Sequence, residues 1–554
     1  MPVINFSHSD LCNLVGRDID IDTLRVRLPM IGADLNVAEE GDDELSFEFF
    51  PDRPDLFSVE GIARALKAFL DIEPGLRDYT ATPSGVTVAV DESVDEVRPF
   101  IWSAVVEGLT IDDPLIRSIM DLQEKLHLTL GRDRRKVAIG IHDIEGVKPP
   151  FRYTTVQPDG MSFFPLQGTR EMTPAEILRE HEKGKAYSFV LEGKSRYPII
   201  LDKDDTVLSM PPVINGIATE VTERTDTVFV DCTGTDINAL RYAVNIMTAA
   251  LADRGGGVRA VAIERDGASP ETAPDLSPSR MKLDVAYSNR WLGTSLSAEE
   301  MSACLERMGH GVSAEGESLD VSVPCYRADV LHPVDLVEDV AIGFGYEKFG
   351  NTMPRALTYG VEDPLIAFAN RVRPMLVGLG YFEVATLSLS NDEEQFRALN
   401  MEEDPEALRI RNPATEAHTL VRTSLIPSLL GILRRNKHRE LPQRVFEIGD
   451  VVLRKRNRKR MAAVAIHAKA SFTECKSLAL SISAAMGLTT DVVPTNCPSY
   501  IPGRCAALRV GGEDVGVFGE LHPATAEAFE LKYPLIGLEV DLEALMPAVE
   551  DRGS

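Results

Sequence analysis

The segment RADVLHPVDLVEDVAIGFGYEKF (residues 327–349) joins the start of a helix to a group of carboxylates. Pro333 marks the helix start, because the first helical residue needs no backbone N–H donor. Four acidic residues share one face of this helix or lie just upstream of it: Asp329, Asp335, Glu338 and Asp339. Mg²⁺ prefers oxygen ligands, so this group predicts a magnesium site. An acidic first turn that complements the helix dipole is the alternative explanation.

The composition limits the class of protein. The chain has 554 residues, 44% of them hydrophobic, which predicts several soluble globular domains. No apolar run approaches the ~20 residues that span a membrane, and the N-terminus lacks the pattern of a signal peptide. The seven cysteines contain no C-x-x-C pair, which argues against a disulfide framework or a zinc site. These features predict a cytoplasmic, multidomain protein.

The charge distribution is uneven. The net charge is −28, so the protein surface taken as a whole is not expected to attract nucleic acid. Three local basic clusters stand against this background: GRDRRK (131–136), RRNKHR (434–439) and RKRNRKR (454–460). Each is consistent either with contacts to nucleic acid or with an ordinary solvated face, and the composition does not separate the two.

The order of residues in 327–349 is more specific than their spacing. It follows R-x-D-V-x-x-x-x-D-L-V-E-D-V-A-x-x-x-G-Y, which resembles the signature of the B5 domain in phenylalanyl-tRNA synthetase beta subunits. In that family the four matching carboxylates bind magnesium. The resemblance therefore implies that the Mg²⁺ ligands are Asp329, Asp335, Glu338 and Asp339.

The same resemblance extends along the chain. Residues 47–70 look like the N-terminal module of the family, 136–144 and 197–236 like its B3/4 domain, and 409–453 like its class II core. The implied fold is α+β and multidomain, of the shorter archaeal or eukaryotic type. Its expected parts are a B1-like module (1–90), a B3/4-like editing domain (95–265), a winged-helix-like B5 module (275–350) and a class II synthetase-like antiparallel core (355–554). The Pro/Ser/Asp-rich stretch 264–280 predicts a linker.

The resemblance also implies a hydrolytic site. In the family, the B3/4 domain removes tyrosine wrongly attached to the phenylalanine tRNA. A pocket built for a phenyl ring rejects an added hydroxyl only weakly, so a second site that binds the hydroxyl is useful. The candidate residues are Leu201, Ser209, Asp231 and Thr233, of which Asp231 and Thr233 alternate on one strand face. His142 and Asp143 are secondary candidates, because a lone histidine at a strand end is more often structural.

Two arginine motifs of an active class II core are missing. No Arg-x-Glu pair follows VFEIGDVVL (445–453), and no G-x-G-x-x-R follows LEVDLEAL (538–545). The core is therefore predicted to lack the ATP-binding arginines and to act beside a separate catalytic subunit. The resemblance implies an alpha subunit as partner in an α₂β₂ tetramer, tRNA(Phe) as a second partner, ATP as the substrate of the holoenzyme, and Mg²⁺.

Two other functions are compatible with parts of this pattern. A non-enzymatic tRNA-binding or scaffold protein would keep the domains and lose the editing activity. A freestanding Mg²⁺-dependent phosphoryl-transfer enzyme would use the four carboxylates. The chain contains neither a P-loop nor a glycine-rich kinase loop, which argues against the second of these.

Overall fold

The computed structural model describes residues 2–36, 43–354 and 358–550, and the predicted domain limits at 1, 355 and 554 lie outside these residues. The chain divides into two compact units, Met1–Thr352 and Met353–Ser554. Across the described ranges, no helix is both long and apolar enough to cross a membrane. Short 3₁₀ helices lie at Leu28–Ile31, Pro54–Leu56, Glu92–Val94, Ser188–Val190, Ile217–Thr219, Tyr346–Lys348 and Arg397–Leu399.

The first unit begins with a small antiparallel sheet covered by helices. Its elements are β1 (Val3–Ser7), α1 (His8–Val15), α2 (Ile21–Arg27), β2 (Ala33–Asn36), β3 (Glu44–Phe49) and α3 (Val59–Phe69). The strand order is β1-β3-β2. Ser58 caps α3 by accepting a hydrogen bond from the Gly61 N–H at 3.3 Å. Arg53 and Asp55, in the turn before α3, form a buried ion pair at 2.7 Å.

A large mixed sheet follows in the same unit. Its strands are β4 (Thr82–Val90), β5 (Phe100–Glu107), β6 (Val137–Asp143), β7 (Phe151–Val156), β8 (Tyr197–Leu201), β9 (Val207–Met210), β10 (Ile214–Asn215), β11 (Val228–Gly234), β12 (Gly257–Arg265) and β13 (Glu271–Ala273). The helices are α4 (Asp113–Leu128), α5 (Pro174–Glu180), α6 (Glu182–Tyr187) and α7 (Ile237–Asp253). The strand order is β10-β9-β8-β7-β4-β12-β5-β11-β6, and β13 pairs with β12. The stretch predicted as a linker thus contributes a strand, because Glu271–Ala273 completes hydrogen bonds left open beside β12.

The two ends of this sheet approach each other. Asn215 in β10 donates a hydrogen bond from Nδ2 to the carbonyl oxygen of Ile141 in β6, at 3.2 Å. His142 Nδ1 and Thr219 Oγ1, just after β10, lie 2.8 Å apart. The first bond joins strands from opposite ends of the strand order, the second joins β6 to the 3₁₀ helix after β10, and a cavity lies beside them.

The first unit ends with a helical module on a short sheet. Its elements are β14 (Ser279–Asp284), α8 (Val285–Leu292), α9 (Ala298–Arg307), β15 (Gly311–Glu315), β16 (Ser318–Val323) and α10 (Pro333–Phe344). The strand order is β14-β16-β15. Helix α10 begins at Pro333, which confirms the predicted start, and its apolar face packs in the core through Leu336, Val337 and Val340.

The second unit contains the predicted antiparallel sheet. Its elements are α11 (Pro364–Gly378), β17 (Phe382–Glu383), β18 (Leu389–Ser390), α12 (Asp392–Gln395), β19 (Leu420–Val421), α13 (Ile426–Arg435), β20 (Gln443–Leu453), β21 (Arg456–Ile466), α14 (Phe472–Ala485), β22 (Asp491–Pro494), β23 (Tyr500–Val510), β24 (Glu513–Leu521), α15 (Pro523–Ala528), β25 (Leu535–Asp541) and α16 (Leu542–Glu550). The order is β17-β20-β21-β25-β24-β23-β22, and β18 pairs with β19. Only β17 runs parallel to its neighbour among the described strands of the larger sheet.

Candidate hydrolytic site and acidic cluster

A cavity of about 370 Å³ lies in the first unit between β6, helix α4 and the segment that contains β9 and β10. Its wall is largely apolar, with Ile116, Met120, Ile139, Ile141, Pro212 and Val213 among the lining residues. Uncharged polar groups come from Gln123, Gln167, Ser209, Asn215 and Thr219, and charged groups come from Glu124, Arg134, Lys183, Glu220 and Asp231. A cavity that combines apolar contact surface with placed polar groups is typical of a small-ligand site.

Two of the predicted editing residues lie in this wall. Ser209 is 3% exposed, and its Oγ has no hydrogen-bond partner within the described part of the chain. Asp231 is also buried, and its Oδ1 lies 2.7 Å from His142 Nε2. Its Oδ2 makes no hydrogen bond to any described residue. The wall of the cavity therefore holds one carboxylate oxygen and one hydroxyl without a described partner, and the hydroxyl oxygen has almost no accessible surface.

His142 organises the carboxylate and was only a secondary candidate from the sequence. A carboxylate accepts hydrogen bonds, so His142 Nε2–H donates to Asp231 Oδ1, while Nδ1 faces the Thr219 hydroxyl at 2.8 Å. The strand register places Gly140 opposite Asp231. A Cβ at Gly140 would overlap Asp231 Oδ1 and would lie 2.7 Å from His142 Nε2. Gly140 and His142 are two residues apart and so share one face of a strand. This spacing is the sequence signal that could have identified His142 as a site residue.

Thr233 and Leu201, the other two predicted editing residues, are not among the residues that line this cavity. Thr233 is fully buried, and its Oγ1 accepts a hydrogen bond from Arg98 Nε at 3.0 Å. Burial lowers the pKa of Arg98 to about 10. Thr233 shares the strand face of Asp231, but Arg98 occupies its hydroxyl. Leu201 packs in an apolar cluster with residues such as Phe163 and Ile177 and is not in the cavity wall.

Asp143, the other secondary candidate, also has a local role. Its Oδ2 accepts a hydrogen bond from Thr225 Oγ1 at 2.5 Å, and its Oδ1 accepts one from the Glu145 N–H at 2.9 Å. Both bonds fix the turn after β6. Asp143 is not among the residues that line the cavity of Ser209 and Asp231.

One side of the cavity carries charged residues of both signs. Glu124 forms an ion pair with Arg134, and Lys183 also lines the cavity. Burial acts to raise the pKa of Glu124, but His127 and Arg134 outweigh it and lower the pKa to about 2. Arg134 is buried and stacks on the Tyr187 ring at 3.9 Å. This member of the basic cluster 131–136 is therefore a structural residue of the cavity wall.

Two of the four predicted magnesium ligands, Asp329 and Asp339, bond Arg327. Its guanidinium donates to both oxygens of Asp329, at 2.9 and 2.7 Å, and to Asp339 Oδ2 at 2.7 Å. Asp339 also lies 2.6 Å from His310 Nε2. Burial acts to raise the pKa of Asp339, but Arg327 and His310 outweigh it and hold the pKa well below its usual range. Asp335 accepts hydrogen bonds from the N–H groups of Leu331 and His332.

Glu338 differs from the other carboxylates of this cluster because it has acidic neighbours and no basic partner among the described residues. It is exposed and makes no hydrogen bond or ion pair with any described residue. Partial burial and the negative charges of Asp339, Asp52, Asp335 and Asp329 raise its pKa. A hard cation would relieve this repulsion, so the charge of the donor set suits Mg²⁺, although no three of its members have ligand atoms within 4.8 Å of one another. The four carboxylates do not form a closed ligand shell, because Arg327 already neutralises two of them.

A different group meets a tighter geometric criterion for metal binding. Within the described ranges, three metal-binding side chains bring their ligand atoms within 4.8 Å of one another only at His8, Cys12 and Asp18. His8 Nε2 lies 2.6 Å from the carbonyl oxygen of Ile19, so the backbone already occupies this nitrogen. These three side chains lie in α1 and in the loop that follows it.

The second unit carries a buried polar cluster on β20. Arg422 donates to Glu447 Oε1 at 2.7 Å, to Thr386 Oγ1 at 2.6 Å and to the Asp450 carbonyl oxygen at 2.9 Å. Thr386 in turn donates to Glu447 Oε2 at 2.6 Å. Both members of the ion pair are almost fully buried. The arginine thus has its charge balanced within the protein.

A second cluster lies two strands away on β25. Glu539 accepts hydrogen bonds from Ser424 Oγ at 2.5 Å and from the Leu425 N–H at 3.2 Å. Arg460, in the basic cluster 454–460, donates to the same carboxylate at 3.1 Å. Glu539 and Glu447 both lie beside Ala462 of β21 in the strand register. Each of the two arginines on this part of the sheet is therefore paired with a glutamate.

Three family models match consecutive parts of the chain. The B3/4 domain matches residues 110–253, the tRNA synthetase B5 domain matches 281–346, and the phenylalanyl tRNA synthetase beta chain CLM domain matches 350–542. The cavity with Ser209 and Asp231 lies in the first match, and the acidic cluster lies in the second. Together with the antiparallel sheet, these matches define a subunit of an aminoacyl-tRNA synthetase.

Relatives that match almost the whole chain identify the particular family. The phenylalanine–tRNA ligase beta subunits of Methanothrix thermoacetophila and Archaeoglobus fulgidus are each 45% identical, over 98% and 99% of this chain and 100% of their own length. An N-terminal fragment of the phenylalanyl-tRNA synthetase beta subunit from Pyrococcus horikoshii is 38% identical, with a TM-score of 0.60 over 62% of this chain and 100% of the fragment. The chain belongs to the family of phenylalanine–tRNA ligase beta subunits. The predicted family and fold class are confirmed.

Proposed function

We propose that this chain supports the ATP-dependent attachment of phenylalanine to tRNA(Phe) by a catalytic alpha subunit, and that it hydrolyses mischarged Tyr-tRNA(Phe). The assembly is an α₂β₂ tetramer in the cytoplasm. The observation that carries the hydrolytic role is the 370 Å³ cavity, in which a buried, unpartnered Ser209 hydroxyl lies in the same wall as the Asp231 carboxylate.

The cavity has the chemistry to select tyrosine over phenylalanine. A phenyl ring would leave the buried Ser209 hydroxyl unpaired, which is unfavourable. A tyrosine hydroxyl would provide the missing partner, and a site built to bond a substrate hydroxyl discriminates strongly against the analogue that lacks it. The apolar lining supplies contact for the ring.

The polar groups favour attack by water over a covalent intermediate. A serine nucleophile needs an adjacent base, but His142 bonds Asp231 and Thr219 and not Ser209. Asp231 Oδ2 is available to accept a proton from a water molecule. The water oxygen then bonds the acyl carbon, the ester bond to the ribose oxygen breaks, and that oxygen takes up the proton that Asp231 accepted from the water.

The second unit supports a role without its own ATP chemistry. Binding of a triphosphate needs uncompensated positive charge, but Arg422 and Arg460 are paired with Glu447 and Glu539. These residues lie on or beside the β20–β21 hairpin, where the resemblance would place an ATP-binding arginine. ATP therefore binds to the alpha subunit.

Exposed apolar side chains support a large protein partner of the second unit. They are concentrated between residues 359 and 389, where Phe382 is 77% and Leu387 is 67% exposed. Further exposed members are Tyr359, Val361, Val377 and Leu379. Apolar surface of this kind marks protein interfaces, and the alpha subunit is the partner that covers it.

The acidic cluster has a structural role in this proposal. Glu338, Asp335 and Asp329 would hold Mg²⁺ together with water, and the ion would neutralise the carboxylates at the start of α10. Asp339 stays with Arg327 and His310 in the buried ion-pair network. The bound ion steadies this module and takes no part in hydrolysis.

The experiment measures two activities with one set of proteins. Phenylalanine attachment is assayed with this chain alone and with an alpha subunit from a relative, and hydrolysis of Tyr-tRNA(Phe) is assayed with the mixture. We expect attachment only in the mixture, and an Asp231→Asn chain that attaches phenylalanine normally but hydrolyses Tyr-tRNA(Phe) at least about 10²-fold more slowly. Attachment by this chain alone would contradict the proposal. Hydrolysis absent from the unmodified mixture would favour the non-enzymatic scaffold.

A further inference from the structure

A fully buried histidine connects the two walls of the cavity. We propose that His142 is a positioning residue: it fixes Asp231 with Oδ2 available to the substrate, and it sets the separation between Asp231 and Ser209. This role rests on the proposed hydrolysis of Tyr-tRNA(Phe). It adds a residue that does not itself line the cavity.

The imidazole is held from both sides. Nε2 bonds Asp231 Oδ1 at 2.7 Å, and Nδ1 faces Thr219 Oγ1 at 2.8 Å. The ring also packs beside Phe229, with centroids 6.2 Å apart. With both nitrogens engaged and no solvent exposure, the ring has a single orientation, and it imposes one on the carboxylate.

Strand β6, which neighbours Asp231, has a glycine where a side chain would overlap the Asp231–His142 pair. Gly140 lies opposite Asp231 in the register of β6 and β11, and any side chain there would overlap the carboxylate. The histidine is two residues further along the same strand face. Three elements therefore contribute to one arrangement: β6 provides the ring and the space, β11 provides the carboxylate, and the turn after β10 provides Thr219.

The contact continues to the opposite wall. Thr219 Oγ1 is 3.4 Å from the carbonyl oxygen of Leu208, the residue before Ser209 on β9. The series Asp231, His142, Thr219 and Leu208 thus links the carboxylate to the strand that carries the unpartnered hydroxyl. The Ser209 hydroxyl is proposed to bind the phenol group of the tyrosine. The series of contacts from Asp231 to Leu208 therefore fixes where the aminoacyl ester of the same substrate lies relative to the Asp231 carboxylate.

The first test uses the complex with the alpha subunit and replaces His142. We expect His142→Ala to lower kcat for Tyr-tRNA(Phe) hydrolysis about 10²-fold, because a displaced catalytic group costs about that much, while KM changes little. His142→Gln keeps a side-chain N–H donor for Asp231 and is expected to recover most of the lost kcat. Thr219→Val, which removes the second contact of the ring, should lower kcat in the same direction.

A double-mutant cycle separates positioning from general damage. If His142 acts through Asp231, then His142→Ala added to Asp231→Asn should cause no further loss of kcat. Independent, multiplying losses in the double variant would overturn the proposal. Losses that do not multiply, together with rescue by glutamine, would support it.

Thr225→Val is the matched control for folding. It removes a buried hydroxyl bond to Asp143, one residue from His142, without touching Asp231. We expect a similar fall in melting temperature with kcat for hydrolysis unchanged. If His142→Ala lowers the melting temperature as this control does and leaves kcat unchanged, the positioning role is refuted and the hydrolytic function stands. If Asp231→Asn also leaves kcat unchanged, the proposed site itself is wrong.

Discussion

The cavity of the first unit and the polar cluster on β20 of the second unit both bury a carboxylate against a sheet, but they differ in what remains unbonded. Glu447 has Arg422 on one oxygen and Thr386 on the other. Asp231 has His142 on one oxygen only, and the Ser209 hydroxyl in the same cavity has no described partner. Buried polar groups normally have hydrogen-bond partners. Asp231 and Ser209, which share a cavity and keep unbonded oxygens, therefore indicate a binding site, whereas the fully bonded Glu447 and Arg422 indicate a structural role.

The largest effect should follow from breaking the satisfied pair. Arg422→Ala leaves Glu447 charged and buried, and we expect the free energy of unfolding of the second unit to fall by about 3–5 kcal/mol. Denaturant titration measures it. Lys437→Ala, which breaks the exposed pair with Glu530, is the control and should leave the free energy of unfolding almost unchanged. If the Arg422→Ala chain has unchanged stability, the fully bonded cluster on β20 has no structural role, and it no longer differs from the cavity in the way proposed.

The next effect tests the space beside Asp231. Gly140→Ala places a methyl group against Asp231 Oδ1, so we expect hydrolysis of Tyr-tRNA(Phe) to slow about 10²-fold while attachment of phenylalanine is unchanged. Gly146→Ala is the control, because a Cβ there meets only the Ala218 carbonyl oxygen at 3.9 Å. Equal rates for the two variants would mean that the position of Asp231 does not matter for hydrolysis.

A smaller effect should follow from removing the unpartnered hydroxyl. Ser209→Ala breaks no hydrogen bond within the protein, so the melting temperature should stay the same or rise. Hydrolysis of Tyr-tRNA(Phe) should weaken about tenfold, mainly in KM, because one substrate contact is lost. Ser103→Ala removes another buried, unpartnered hydroxyl of the same sheet that does not line the cavity, and should change neither quantity. Similar KM values for both variants would contradict the role of Ser209.

The smallest effect concerns Glu338. At Mg²⁺ about tenfold above its Kd, we expect stabilisation of about 1.4 kcal/mol, seen as a higher melting temperature than in chelator. Glu338→Gln should lose this difference and keep normal hydrolysis. Glu347→Gln, in the same module but paired with Arg27, should retain it. A Mg²⁺ response that survives in Glu338→Gln would place the ion elsewhere.

Local features of the fold were predictable from the sequence. The helix start at Pro333 and the buried strand in 136–144 depend on neighbouring residues and appear where expected. Contacts between distant residues were not predictable. Thr233 alternates with Asp231, but Arg98, 135 residues away, takes its hydroxyl. Thr219 orients His142 from 77 residues away. Periodicity assigns a face of a strand, whereas the occupant of that face is decided by packing.

The bonds between the two ends of the large sheet have a consequence for the nascent chain. Asn215 bonds Ile141, and Thr219 contacts His142, across separations of 74 and 77 residues in the chain. Contacts between such distant segments form late in folding. A partly folded subunit therefore lacks this cavity, and the hydrolysis proposed for it begins only once the sheet around it is complete.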